Sequence, residues 1–219
     1  NLGLAVTEKR PDGYHNLQPV FYPAGLTDLL EFVEDPALPH GRCTLTVTGI
    51  GVDGDPVNNL CVKAYQLMYR DFDLPALAIH LHKMIPAGAG LGGGSADAAF
   101  MLRGINDLFD LALPVAALEQ YASQLGSDCA FFIRNRPVSA SERGNVFRDL
   151  ELSLGDYFLA LVCPPVHIRT AEAYSHIIPA VPVTTPDKVV QRPVKDWKGV
   201  LTNDFETAIF PRFPQIAAV

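Results

Sequence analysis

Residues 77 to 109 read LAIHLHKMIPAGAGLGGGSADAAFMLRGINDLF, and no other stretch of the chain constrains the fold as tightly. An alternating apolar run, a glycine-rich break and an amphipathic run follow one another without spacers. This predicts strand, loop and helix in direct succession. On the helical side Ala98, Met101, Leu102, Ile105, Leu108 and Phe109 form one apolar stripe. Ser95 is placed to cap the helix, and Asp97 in its first turn suits the helix dipole. Three adjacent glycines, Gly92 to Gly94, exceed what a turn needs, because one left-handed position takes one glycine. That much backbone freedom becomes useful when a phosphate lies against free N–H groups at a helix N-terminus.

Three known patterns compete for such a loop. Gly88-x-Gly90-x-x-Gly93 satisfies the dinucleotide-binding pattern, and the flanking strand and helix agree with it. The acidic residue expected about twenty positions later at a strand end is missing, because Asp107 and Asp110 fall in helix. The Walker-type loop is excluded by the absence of a lysine after the glycines, where Ser95 stands directly after Gly94. A turn serving only close packing remains as the structural alternative.

Around this unit the chain alternates without strict β-α-β order, which predicts an α+β fold. The opening 35 residues read as strand, tight turn and strand, with Pro11-Asp12-Gly13 as the turn. Residues 43 to 50 alternate as a strand, and Asn58 and Asn59 precede a helix carrying Leu60, Ala64, Leu67 and Met68 at helical spacing. After the central helix comes a second one, PVAALEQYASQLG, closed by Gly126. CAFFI is then expected as a strand, 134 to 150 as loop, YFLALVCPP as a strand opening a second unit near residue 154, and 178 to 194 as an exposed connection.

With 48% hydrophobic and 19% charged residues, the chain can bury a core and is not expected to be disordered. Its net charge of −7 argues against a broad nucleic-acid surface, though not against one local anion site. No apolar run reaches the ~18 residues of a membrane span, and no signal-peptide pattern is present. The start at Asn1 without a methionine reads as a truncated beginning. Cys43, Cys61, Cys129 and Cys163 form no C-x-x-C pair and are expected as free thiols of a reducing cytoplasm. His80 and His82 share one strand face with no third ligand nearby in sequence, so a structural role is expected and no metal site.

The whole string PAGAGLGGGSADAA closely resembles the phosphate-binding motif of the GHMP kinases, P-x-x-x-G-L-G-S/G-S-S/G-A-A. Further stretches match one branch of that family in order: NLGL with KRPDGYH, Asn59-Leu60 with Lys63-Ala64, LGSDCAFF, TAEAY and NDFE. The branch acts on 4-diphosphocytidyl-2-C-methyl-D-erythritol in the non-mevalonate isoprenoid pathway. The resemblance runs from residue 1 to about 206. It implies a two-domain fold: an N-terminal domain like domain 2 of ribosomal protein S5 over residues 1–153, and a ferredoxin-like C-terminal domain over 154–219, here incomplete.

By the same resemblance ATP and Mg²⁺ are the cofactors, and the small-molecule substrate is CDP-methylerythritol. Nucleic acid and membrane are not expected as partners, and the protein is expected as a cytoplasmic monomer or homodimer. Asp128 would accept the proton of the attacking hydroxyl, and its sequence position suggests a buried strand terminus. The family's second catalytic residue, a lysine, falls two residues before the asparagine matched by Asn1. Lys9 is not its equivalent. Pro86, Ala87, Gly88, Ala89, Gly90, Leu91, Gly92, Gly93, Gly94, Ser95 and Lys83 would surround ATP phosphates, and Asn59 and Leu60 would flank adenine. Asn1, Tyr14, His15, Phe21, Thr170 and Tyr174 would bind substrate, Tyr14 by stacking on cytosine and His15 by bonding its edge. A second serine common in the family is replaced by Ala96. A glycine-rich motif that follows in the family does not occur before residue 219, so residues 1–219 alone are expected to turn over poorly. Other kinases of the family, acting on mevalonate, homoserine or a sugar, and a non-catalytic nucleotide-binding module are the alternatives. DGYH argues against the former, whose substrates carry no cytosine.

Overall fold

The computed structural model describes residues 1–51, 54–164, 166, 168 and 170–219. Its strands are β1 (Leu4–Lys9), β2 (His15–Phe21), β3 (Leu29–Glu34), β4 (Cys43–Gly49), β5 (Leu77–Lys83), β6 (Val138–Ser141) and β7 (Val146–Asp149). Its α-helices are α1 (Leu60–Tyr69), α2 (Gly93–Leu108), α3 (Val115–Leu125), α4 (Cys129–Arg134), α5 (Thr170–Ser175), α6 (Pro186–Val189), α7 (Asp204–Ile209) and α8 (Pro214–Ala217). Two sheets with separate helices give the α+β class that the element order predicts.

The chain packs as two compact units, one made of residues 1–24 with 135–219 and the other of residues 25–134. This packing division is discontinuous in sequence and cuts across the family-type boundary expected at 153/154.

In the unit of residues 25–134, β5 lies between β3, its antiparallel neighbour, and β4, its parallel one, with α1 connecting β4 to β5. Along β5, Leu77, Ile79, Leu81 and Lys83 are buried while Ala78, His80 and His82 face the more open side. Pleating puts alternate side chains on opposite faces, so a lysine in phase with three aliphatic residues goes into the core with them. Helices α1 to α4 pack on one another, with α1 reaching β4 and α2 reaching β3. Gly104 lets α2 sit on Phe32 of β3, since a Cβ there would lie 2.4 Å from the ring. Buried Ala98, Met101, Leu102 and Ile105 bear out the stripe of α2, whereas Leu108 is exposed.

CAFFI is a correction: it forms helix α4. A five-residue apolar run carries no period that separates a strand from a buried helical turn, and here its partners are the helices α2 and α3.

In the other unit the sheet runs β1-β2-β6-β7. The 10–14 loop makes the expected tight turn, with Gly13 at φ +84° and its N–H donating to the Arg10 carbonyl at 3.1 Å. Residues 134–150, expected as loop, contain the hairpin β6–β7. YFLALVCPP is not a strand: residues 158–164 have no regular structure, and Phe158, Leu159 and Val162 are exposed. High β-propensity makes no strand without a ladder partner, and among the described residues none pairs with this segment. Within 178–194, expected as exposed, α6 buries Pro186 and Val189, and Val190 follows them into the core. In NDFE, the Asn203 side chain caps α7, and Asp204 accepts the Val6 N–H at 2.7 Å. That stretch therefore has a structural task of its own.

Candidate active site

The loop between β5 and α2 takes left-handed backbone at alternate residues, with Gly88 at φ +75°, Gly90 at +73° and Gly92 at +70°. Gly92 is the N-cap of α2, so the helix begins two residues before the Ser95 cap that the sequence suggests. A cap without a side chain leaves the first-turn amides to another acceptor. The three adjacent glycines divide by cause. A Cβ on Gly92 would lie 2.9 Å from the Phe132 ring, and one on Gly93 would lie 2.9 Å from Ile85. On Gly94 it would meet only Leu60, at an ordinary 3.8 Å. Packing therefore accounts for two of the three glycines, which corrects the expectation that packing needs only one. The exposed Gly94 is left as a position where the bare backbone has no steric cause within the chain.

The same corner gathers other sequence-predicted residues. Asn59 caps α1, its side chain accepting the Cys61 N–H at 2.9 Å, and Leu60 begins that helix beside Gly94. Burial raises the pKa of the Cys129 thiol, and the Ser95 side chain, in the first turn of α2, works against that rise. Asp128 directly precedes Cys129. It is exposed in the turn between α3 and α4, not buried at a strand end, and accepts a hydrogen bond from Ser127 Oγ at 3.4 Å. An exposed carboxylate needs no buried partner, so the correction removes the burial argument and leaves the group accessible. Lys63 is exposed.

Lys83 has partners that its sequence position did not suggest. Its side chain is 4% exposed; its Nζ donates to Asp97 Oδ2 at 2.8 Å and to Asp28 Oδ2 in a short contact. Asp28 Oδ1 also accepts the N–H groups of Met84 at 2.6 Å and Ile85 at 2.8 Å. The ammonium is thus paired with two carboxylates. Asp97 likewise serves this cluster more than the helix dipole. Burial pushes the Asp97 carboxyl up to about 6 against the pull of Lys83, with Asp28 adding to the rise. Asp28 feels burial too, but hydrogen bonds from Lys83, Met84 and Ile85 outweigh it and hold its pKa below the usual value. Burial alone would lower the Lys83 pKa, and the two carboxylates turn the shift upward. The signal for the cluster was present in the sequence: Lys83 is in phase with Leu77, Ile79 and Leu81, and Asp97 is four residues before Met101 on the buried face of α2.

The other unit holds the remaining candidates. His15 stacks on Tyr174, with ring centroids 5.0 Å apart and planes 17° apart, and Tyr174 meets Phe205 edge-on at 4.9 Å. Burial, with a smaller contribution from Lys9, lowers the His15 pKa, which favours a neutral imidazole able both to donate and to accept. Tyr14 is 57% exposed, with the Arg143 guanidinium 4.8 Å above its ring. Arg143 sits in the β6–β7 turn, and nothing in its sequence context distinguishes it. Phe21 is at the far end of β2 against Phe147 (6.4 Å), and Asn1 precedes β1. Thr170 begins α5, but its side chain lies outside the described set. A groove of about 440 Å³ lined by Thr7, Arg10, Asn16 and Gln18 holds none of the singled-out residues. His80 and His82 both bond the Thr48 hydroxyl, at 2.9 and 2.8 Å. All four cysteines are free, with Cys61 and Cys129 buried. Among the described residues no helix is long and apolar enough to cross a membrane.

Residues 59–136 match the model of the GHMP kinase N-terminal domain. The chain is 49% identical over its whole length to a 4-diphosphocytidyl-2-C-methyl-D-erythritol kinase of Bacteroides fragilis, of which it spans 80%. It is likewise 49% identical to the enzyme of that name from Parabacteroides distasonis, spanning 79% of it. A crystal structure of 4-(cytidine 5'-diphospho)-2C-methyl-D-erythritol kinase superposes with a TM-score of 0.75 at 27% identity, over all of this chain and 77% of that one. Identity of this order, sustained from one end of the sequence to the other, goes with the same glycine-loop fold, and the chain belongs to the family of 4-diphosphocytidyl-2-C-methyl-D-erythritol kinases.

Proposed function

We propose that this chain transfers the γ-phosphoryl group of ATP to the 2-hydroxyl of 4-diphosphocytidyl-2-C-methyl-D-erythritol, forming its 2-phosphate and ADP. One observation supports the chemistry above the others. Helix α4 packs on α2, with Phe132 against Gly92, and so keeps an exposed carboxylate, Asp128, near a helix N-terminus whose cap has no side chain. Phosphoryl transfer asks little covalent chemistry of a protein and much alignment and charge compensation. The amides of residues 90–95 would compensate charge on the phosphates, and Leu60 and Asn59 at the start of α1 would border the nucleotide. Asp128 would orient the attacking hydroxyl and take its proton as the O–P bond forms and the β–γ bridge oxygen departs with ADP.

Mg²⁺ bound with ATP would neutralise phosphate charge. The Ser95 hydroxyl and the Asp128 carboxylate are hard oxygen donors of the kind it accepts. No cluster of three or more His, Cys, Asp or Glu side chains suited to a metal stands among the described residues. The His15–Tyr174 stack and exposed Tyr14 would take the cytosine, a flat base with a hydrogen-bonding edge.

A coupled kinase assay of the full-length protein, offering CDP-methylerythritol against mevalonate, tests the reading. Turnover is expected with the cytidylyl substrate, falling about 10²- to 10⁴-fold in Asp128→Asn while ATP binding persists. Preference for mevalonate would refute the substrate assignment, and an unimpaired Asp128→Asn the catalytic one.

A further inference from the structure

Asp28 binds one end of the glycine loop directly and is linked to the other through Lys83. Its Oδ1 accepts the N–H groups of Met84 and Ile85, the two residues that leave β5. Its Oδ2 meets Lys83 and lies 3.4 Å from where a Cβ on Gly93 would stand, at the first residue of α2. Lys83 carries the connection on to Asp97, one turn into that helix. Between these anchors run residues 86–92, whose backbone has almost no internal bonding; its one internal backbone bond, Ala89 N–H to Pro86 carbonyl, is a long 3.4 Å. Such a loop keeps its shape only if its ends are held, because left-handed glycines restrict the chain least of all residues.

We propose that Asp28, Lys83 and Asp97 are positioning residues for nucleotide binding, fixing both ends of the glycine loop so that its amides converge on the ATP phosphates. This rests on the reading that the loop receives ATP. It departs from the resemblance, which has Lys83 itself touching the nucleotide. All three side chains are buried: 3% exposed for Asp28, 4% for Lys83 and 7% for Asp97. A buried lysine between two carboxylates is costly to break and indifferent to ligand unless the loop transmits the change.

The sign of one substitution separates the alternatives. A carboxylate near a polyphosphate repels it, so direct electrostatics makes Asp28→Ala bind nucleotide more tightly. If Asp28 acts by holding the loop, Asp28→Ala binds more weakly, by about tenfold to a hundredfold, the loss typical when the groups that orient a ligand's direct partners are removed.

The experiment is titration of full-length protein and its variants with a non-hydrolysable ATP analogue, beside the KM for ATP and for the cytidylyl substrate. Asp28→Ala and Lys83→Met are expected to raise the analogue Kd and the ATP KM together and leave the KM for the other substrate within about twofold, and Lys83→Arg to impair binding less than Lys83→Met. Unchanged or tighter binding by Asp28→Ala, with only Lys83→Met impaired, overturns the proposal and returns Lys83 to direct contact. Failure of the unaltered protein to bind the analogue overturns the reading of the loop as well. If the variants do not fold, hydrogen exchange of the unaltered protein decides. Met84 is 48% exposed, yet its amide is expected to exchange slowly and to slow further, with residues 88–92, when the analogue binds. Rapid exchange at Met84 and Ile85, insensitive to the analogue, overturns the proposal.

Discussion

A side chain's environment decided most of the residue-level outcomes. Asp128 was expected in a buried setting because an apolar run follows it, but the run is a helix that turns its own residues inward and leaves the preceding turn outside. The aromatic candidates fared differently. His15 and Tyr174 are 159 positions apart, and no local pattern joins them, yet their rings stack. That pairing gives a residue-scale test. Tyr174→Ala removes the partner of the His15 ring and the edge contact with Phe205. Stacked aromatics contribute about 0.5–1.5 kcal/mol beyond their burial. The KM for the cytidylyl substrate is expected to rise about three- to tenfold, with the KM for ATP unchanged. Equal shifts in both constants, or none in either, would remove Tyr174 from the substrate site.

At the level of elements, α2 concentrates the contest between packing and function. Glycine in a helix costs roughly 1 kcal/mol relative to alanine, and α2 spends three such positions, Gly93, Gly94 and Gly104. Gly93 and Gly104 have Ile85 and Phe32 as their reasons, and the cap Gly92 has its left-handed backbone and Phe132. Only Gly94 has no such cause. Two substitutions should therefore part company. Gly92→Ala combines a left-handed alanine, about 1–2 kcal/mol, with a clash against Phe132, and calorimetry is expected to find it destabilised by about 2–3 kcal/mol. Gly94→Ala should leave the melting temperature unchanged or slightly raised while weakening ATP binding. A Gly94→Ala protein that binds ATP normally would show that no ligand approaches that backbone. The elements missed from sequence, β6, β7, α4 and α5 to α8 among them, are the short ones. Four to six residues are too few to display a period, and their identity comes from their neighbours.

For the whole molecule, stability against pH reflects the buried cluster. Asp97 titrates near 6 when folded against an ordinary 3.8, so between those values the folded chain holds a proton that the unfolded chain has released. Its contribution is fully present below about pH 4 and is lost as pH rises through 6. Asp28, with its pKa lowered, contributes in the opposite sense and loses its share as pH falls below the ordinary carboxylate range. The raised Lys83 loses its own only in strong alkali. Asp97→Asn is therefore expected to flatten the decline in melting temperature of the unaltered protein between about pH 4 and pH 7. Parallel curves for the two proteins would mean that Asp97 titrates normally. The two packing units also belong to this scale. The matched family domain, residues 59–136, lies almost wholly within the unit of 25–134, while the other unit is assembled from both ends of the chain. Contacts such as that between Leu4 and Asn203 make one unit of distant segments, and no local composition shift announces them.

By itself the sequence determined the long periodic elements and the place of the glycine loop. Strand β5, the stripe of α2, the Asn59 cap and the Gly13 turn depend on neighbours a few residues away, and such interactions are written in spacing. Tertiary structure alone decided where the loop's anchors are. A lysine, an aspartate one helical turn beyond the glycines and an aspartate 55 residues upstream of the lysine meet because burial leaves a charge no solvent and compels it to find a partner. It also decided why the glycines are glycine. Sequence counts three in a row, but only the packing of Phe132 and Ile85 against two of them shows that the third alone has no steric cause within the chain.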